Sequence, residues 1–327
     1  MNKKILVTGA SGFIGNPLCN ALSALGKSVN GTVRSKNTFK DDKNIKFIKL
    51  QDINSNVNWK ELLVDVDCVI HCAGKTHIMK QKEEDDQKIY RSVNVDGTKK
   101  LAKKAVDFRV KRFIFLSSIK VNGESTSSFY SDKILNKQKK YIFTNNDTQK
   151  PEDSYAKSKS EAEKVLWEIS SRSSLEVVIV RLPLVYGYGV KGNLARLIKI
   201  VKSGIPLPLS KVNNQRSMIG IDNLIDLLIR CIDHSEANGK TFLASDGEDL
   251  STPELIKLIA SSIGKRTYLF PLPVFLLNFL SSIFGKQKEI DRLIGSLRID
   301  NSYTKEILNW KPTLSVEEGI RRMIQGK

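Results

Sequence analysis

Apolar and polar positions follow two alternating rhythms over the first 190 residues of this 327-residue chain. Short runs rich in Ile, Val and Phe recur: KILVTGA, SVNGTVR, NIKFIKL, VDCVIHCAG, KRFIFLSS and LEVVIVRLPLVYG. Nearly continuous apolar runs of this length suit strands buried on both faces. Longer stretches with helical spacing separate them, the first running from Phe13 to Leu25. Strands that alternate with helices predict an α/β fold, a doubly wound parallel sheet covered on both sides. Segment 124–153 breaks the rhythm and predicts a polar, lysine-rich loop ahead of the next helix.

Beyond residue 190 the helical rhythm dominates, in NLARLIKIVKSG, IDNLIDLLIRCID and STPELIKLIASSIG. The last opens on Ser-Thr-Pro, which suits a helix start. Residues 191–327 therefore predict a smaller, mostly helical lobe over the mouth of the 1–190 sheet domain, the two being interleaved. The run LFPLPVFLLNFLSSIFG (269–285) holds two prolines near its start and Asn278. It falls short of a membrane span and predicts a buried or interfacial helix. No internal repeat is evident.

Composition changes this picture little. With 40% hydrophobic and 27% charged residues, the chain reads as a folded globular protein. The net charge of +18 comes mostly from lysine, 39 Lys against 14 Arg, spread along the chain without an aromatic-interleaved stripe. That distribution reads as solvated surface, with attraction for a phosphorylated substrate or a membrane-bound pathway as the alternative, and predicts no nucleic-acid partner. Cys19, Cys68, Cys72 and Cys231 sit in apolar runs without CxxC spacing. They read as reduced thiols, and no metal site is expected. MNKKILVTGA enters a strand at once, so no signal peptide is expected, and the cytoplasm is the predicted location.

The chemistry begins at VTGASGFIG, where Gly9, Gly12 and Gly15, with Phe13 and Ile14 inside the turn, link the first strand to its helix. Glycine allows the tight turn and a close approach to a pyrophosphate, which the helix N-terminus attracts. The first lobe is thus a candidate Rossmann domain for a dinucleotide. At the end of the second strand, where an acidic residue would bind ribose hydroxyls, VNGTVRSKN presents Arg34. A guanidinium suits a 2′-phosphate, so Arg34 favours NADPH over NAD.

In SYAKSK, Tyr155 and Lys159 lie four residues apart and share a helix face. Nearby, the ammonium would draw the phenol below its ordinary pKa of about 10 and make Tyr155 a proton carrier. A Tyr-x3-Lys pair arises by chance in such a chain, so its weight comes from FIFLSSIKVNG. That strand ends in Ser117 and Ser118 at the ligand-bearing edge of the sheet. Ser118 would bond the same substrate oxygen as Tyr155.

TGASGFIG, HCAG, NVDGT, SS and YAKSK in this order, with RSMIGIDNLID and the closing EILNWKP, resemble the extended short-chain dehydrogenases/reductases, the sugar-nucleotide epimerase/dehydratase family. The resemblance implies a Rossmann domain with bound NAD(P), a second lobe that grips a UDP-sugar, and a homodimer. It implies Ser118, Tyr155 and Lys159 as catalytic residues, with Asn94 supporting them. Asp52 and Ile53 would lie near the adenine, and His71, Ala73 and Gly74 along the cofactor. Asn193 and Leu194 resemble a substrate-contacting pair; Arg216 matches a phosphate-binding arginine, with Arg292 a second candidate. Two departures stand out. Ile119-Lys120 replaces the Asp-Glu pair of the dehydratases, which sets dehydration aside, and Leu184 replaces an Asn that grips the diphosphate. The wording SSIKVNGE, RLPLVYGYGVKGN and FLASDGEDLSTPEL most resembles a bacterial surface-polysaccharide (O-antigen, lipopolysaccharide) subgroup. Its members imply NAD(P)-dependent reduction of a UDP-4-keto-6-deoxy-N-acetylhexosamine at C4. The alternative is a UDP-hexose or UDP-N-acetylhexosamine 4-epimerase with tightly bound NAD.

Overall fold

The computed structural model describes residues 3–35, 39–53, 57–76, 83–127, 141–283 and 287–326. Its strands are β1 (Lys4–Thr8), β2 (Ser28–Val33), β3 (Ile45–Lys49), β4 (Cys68–His71), β5 (Arg112–Ser118), β6 (Glu176–Leu182), β7 (Leu184–Tyr186), β8 (Arg216–Gly220), β9 (Lys240–Leu243) and β10 (Asp249–Leu250). The helices of the sheet domain are α1 (Gly15–Ala24), α2 (Trp59–Leu63), α3 (Glu83–Tyr90), α4 (Gly97–Asp107) and α5 (Ser154–Ser170). Then follow α6 (Asn193–Ser203), α7 (Ile221–Asp233), α8 (Thr252–Ile263), α9 (Val274–Ile283), α10 (Gln287–Ile294), α11 (Ser302–Leu308) and α12 (Val316–Gln325).

Seven strands form one parallel sheet in the order β3-β2-β1-β4-β5-β6-β9. Strand order reverses at β1, which pairs with both β2 and β4, so a crevice opens beyond their carboxyl ends. Successive side chains of β1 explain its unbroken apolar run. Ile5 and Val7 pack with Leu18 and Leu22 of α1 and Leu224 of α7. Leu6 points the other way, into a cluster with Leu101 of α4 and Leu166 of α5.

The run LEVVIVRLPLVYG is two strands instead of one. Pro183 has no N–H to give the ladder. β6 ends before it, and β7 joins a three-stranded sheet ordered β10-β8-β7. Beyond residue 190 the chain returns to the large sheet, where β9 pairs with β6 and α7 enters the core beside β1. The small-lobe core gathers Leu194, Val201, Met218, Ile256 and Ile320. Part of the loop read at 124–153, residues 128–140, lies outside the described residues. Its return is tied down where Phe143 N donates to Arg298 O and Asp300 N donates to Phe143 O, both at 2.9 Å. No described helix is long and apolar enough to cross a membrane.

Candidate active site

Gly9 follows β1 with φ +69°, and a Cβ there would sit 3.0 Å from the backbone of Ala73. Gly12 N donates to Gly9 O at 2.8 Å. A Cβ at Gly15 would fall 2.3 Å from Gly9 O, so α1 can press against the strand end only as glycine. No side chain caps the start of α1 at Ile14, but Asn16 N donates to Gly12 O at 3.1 Å and Pro17 has no N–H, so attraction for an anion rests on the turn backbone and the positive end of the helix dipole. This cradle fits a dinucleotide pyrophosphate. Gly15→Ala is expected to cost about 1–3 kcal/mol by overpacking and to abolish cofactor binding, read by thermal denaturation and calorimetric titration.

Across the crevice, Ala73 and Gly74 follow β4. A Cβ at Gly74 would meet Asn94 Oδ1 and Lys159 Nζ, each at 3.3 Å. Asn94 lies in a π-helical turn, Arg91–Asp96, a wide-turn geometry common at functional sites. Its Oδ1 accepts from Lys75 N at 2.8 Å, and its Nδ2 donates to Lys75 O and to Ser158 Oγ, both at 3.0 Å. Asn94 thus ties the loop after β4 to α5. His71 sits below this loop with both ring nitrogens engaged. Thr98 Oγ1 donates to Asn94 O at 2.6 Å, so it accepts from His71 Nε2 at 3.0 Å. Thr8 Oγ1, which accepts from Ala73 N, then donates to His71 Nδ1 at 2.6 Å. Burial lowers His71 to about 3 and keeps it neutral. It braces the loop from underneath.

Ser118 ends β5, and Tyr155 sits in the first turn of α5, started by Asp153, whose Oδ1 accepts from Ala156 N at 2.7 Å. The Ser118 hydroxyl lies near the Tyr155 phenol and favours its ionised form, and Tyr90 flanks that ring at 5.9 Å between centroids. The expected acidification of Tyr155 is overturned. Burial raises it to about 12, helped by Asp153 and Tyr90, with only the nearby Ser118 hydroxyl opposing. The Lys159 ammonium donates instead to Leu116 O at 2.8 Å and lies 4.4 Å from the Phe115 ring centre. Helical spacing put the two residues on one face, but the lysine stem is long enough to carry its charge to the sheet.

Burial lowers Lys159 from 10.5 to about 8, with Glu163 and Cys72 pulling the other way. The unfolded chain therefore holds more protons at this residue between pH 8 and 10.5. Stability from this group is present above that window and lost as pH falls through it, by up to about 3 kcal/mol. Without bound cofactor, Lys159→Met is expected to be more stable than wild type at neutral pH, the gap closing in alkali. Urea denaturation at the two pH values tests this.

Two constellations escaped the sequence pattern. Lys120 Nζ bridges Glu124 Oε1 and Asp153 Oδ2, both at 2.6 Å, while Lys120 N donates to Ser118 Oγ at 3.3 Å. Lys120 therefore joins the serine loop to the cap of the tyrosine helix. Burial and Asp153 push Glu124 up against the pull of Lys120. Despite burial, Asp153 is held low by Lys120 and the Ala156 N–H. Behind them, Arg181 Nη2 and Nε bond both carboxylate oxygens of the fully buried Glu163, at 2.6 and 3.0 Å. Ser117 Oγ and Gln149 Nε2 also donate to Glu163, and Arg181 Nη1 donates to Asn122 Oδ1 at 2.9 Å. The YxxxK spacing, extended by one turn to Glu163, was the available signal.

At the cofactor rim, Arg34 is exposed just past β2 and Asp52 is exposed after β3, whereas buried Ile53 packs against Gly97. On the small lobe, Arg216 Nη1 donates to Arg292 O at 3.0 Å and Gly295 O at 3.1 Å. Burial and the neighbouring Arg292 charge destabilise the Arg216 cation, and Glu124 partly offsets them. Two close cations suit a diphosphate. Asn193 is exposed at the start of α6, Leu194 belongs to the small-lobe core, and Leu184 is exposed.

The family profile described as NAD dependent epimerase/dehydratase family matches residues 5–244. The chain belongs to the NAD-dependent epimerase/dehydratase family. A member from Vibrio cholerae named UDP-glucose 4-epimerase is 41% identical over 326 residues, 99% of this chain and 95% of its own. An Escherichia coli O157:H7 protein is 25% identical over 88% of this chain and 82% of its own length. It is named N-acetyl-alpha-D-glucosaminyl-diphospho-ditrans,octacis-undecaprenol 4-epimerase. UDP-glucuronic acid 4-epimerase from Bacillus cereus, solved with UDP-glucuronic acid and NAD, shares the fold of this epimerase/dehydratase family member at TM-score 0.77. The two are 22% identical, with 98% of each chain covered.

Proposed function

We propose that this enzyme is a UDP-hexose or UDP-N-acetylhexosamine 4-epimerase that holds NAD tightly. What carries this reading is 41% identity, over nearly the full length of both chains, to a protein named UDP-glucose 4-epimerase. The site supports it. The Gly9–Gly15 cradle would hold the pyrophosphate, with Ala73, Gly74, Asn94 and Lys159 beside the nicotinamide end. The bound nicotinamide would supply hydride uptake and return at the sugar carbon. Tyr155 would take the C4 hydroxyl proton and give it back, while Ser118 orients that oxygen. Lys159, which donates to Leu116 O and lies beside Gly74, would act at the cofactor end of the site and not on the phenol. Epimerisation needs either face of the sugar to meet one hydride donor. The grip must then fall on the nucleotide diphosphate, a task suited to Arg216 and Arg292, and leave the hexose free to turn.

A 4-keto-sugar reductase using NADPH is the second reading, favoured by exposed Arg34 where a ribose-binding carboxylate would stand. One experiment separates the two. The purified protein is denatured and the released dinucleotide quantified, and turnover is then assayed with UDP-hexoses and with 4-keto sugars. The epimerase reading expects stoichiometric NAD and interconversion of UDP-hexoses without added cofactor. A cofactor-free protein that consumes NADPH only with a 4-keto sugar would overturn it.

A further inference from the structure

Residues 191–221 and 255–283 contain no Asp or Glu and together carry nine Lys and Arg. Their described parts lie side by side. Leu207 N donates to Tyr268 O at 2.9 Å, Phe270 N donates to Leu207 O at 3.0 Å, and Lys265 Nζ donates to Lys202 O at 2.7 Å. This surface displays large apolar side chains to solvent: Ile205 is 57% exposed, Tyr268 65%, Phe275 74% and Phe279 61%. Phe275 and Phe279 are one turn apart on α9, so they share a face. Leu277, on the other side of the helix, is buried in the small-lobe core and fixes which face is turned outward. Lys202, Lys211, Lys265 and Arg266 are exposed in the same two stretches.

We propose that this face docks the enzyme onto an anionic phospholipid bilayer. The charge pattern decides among occupants. A second copy of the chain would bring like charges together across the contact, and protein interfaces are depleted in lysine. A negatively charged headgroup layer accepts both halves of the pattern. Aromatic rings enter the boundary between headgroups and acyl chains, while the long lysine stems keep their ammonium groups at phosphate level. α9, ten residues long, cannot span a bilayer but can lie in its surface.

Vesicle flotation of the full chain tests the proposal. The protein is expected to float with vesicles of phosphatidylethanolamine and phosphatidylglycerol, to be released by high salt, and to ignore phosphatidylcholine vesicles. Phe275→Ser with Phe279→Ser is expected to weaken partitioning at least about tenfold, and Lys265→Glu with Arg266→Glu by a similar factor. Both variants should keep wild-type turnover and melting temperature. Absence of flotation, or flotation indifferent to both variants, overturns the proposal. So does a wild-type dimer that ignores vesicles and is dissociated by the phenylalanine variant, which would make this a self-association face. RNA binding lost with Lys265 and Arg266 but not with the phenylalanines, without vesicle binding, also overturns it.

Discussion

Tyr155→Phe is expected to lower kcat at least about a hundredfold while the fold and cofactor binding persist. The variant deletes one oxygen. Its ring can still pack against Tyr90, and the Asp153 cap that starts α5 is untouched. Lost is the phenol oxygen, which lies near Ser118 and which we assign to proton exchange. Steady-state kinetics with UDP-hexose, beside circular dichroism, reads both halves; near-normal turnover would dismiss the assignment. The high pKa of Tyr155 adds a second observable. Burial holds the phenol at about 12 in the chain without cofactor. Ultraviolet titration of wild type against the variant should therefore show a difference only in strong alkali. A Tyr155 step near neutral pH would mean that Lys159 governs the phenol after all.

Glu163→Ala is expected to cost about 3–5 kcal/mol of stability, the range for breaking a buried ion pair from one side. Arg181 would keep its charge in a site where its side chain is 5% exposed, with Asn122 as its remaining partner. Ser117 and Gln149 would lose their acceptor as well. Replacing both ends by apolar residues, Glu163→Leu with Arg181→Met, should recover much of the loss, because no lone charge then stays buried. Urea denaturation of the two variants measures the difference. Equal losses in both would show that the pair contributes packing and little electrostatic stabilisation. Ser117 neighbours Ser118 and Glu163 follows Lys159 by one turn, so Glu163→Ala should also reduce kcat in whatever fraction stays folded.

Arg34 stands at the exposed rim just past β2. A guanidinium in place of a ribose-binding carboxylate led to NADPH and a reductase. The match to the NAD-dependent epimerase/dehydratase family now supports NAD. Exposed at the rim, Arg34 can turn its charge to solvent, which leaves a diol-binding role to other groups. Within the Ile119-Lys120 dipeptide, Lys120 carries no carboxylate, yet it gathers Glu124 and Asp153 from either side. The surroundings of the serine loop are therefore less basic than the dipeptide suggested.

The sequence by itself determined the elements and motifs that depend on neighbours within a few residues. Six strands of the large sheet, the glycine turn, and the helix carrying Tyr155 and Lys159 follow from side-chain period, turn chemistry and capping, all local. Tertiary structure decided whatever depends on burial or on contacts between distant segments. β9 and α7 enter the large sheet domain from beyond residue 190, and Arg181 finds Glu163 across β6 and α5. Lys159 turns toward Leu116, and Tyr155 becomes less acidic although a lysine sits one helical turn away. Spacing along a helix fixes which residues share a face; the balance between desolvation and charge exists only once the chain has folded around them.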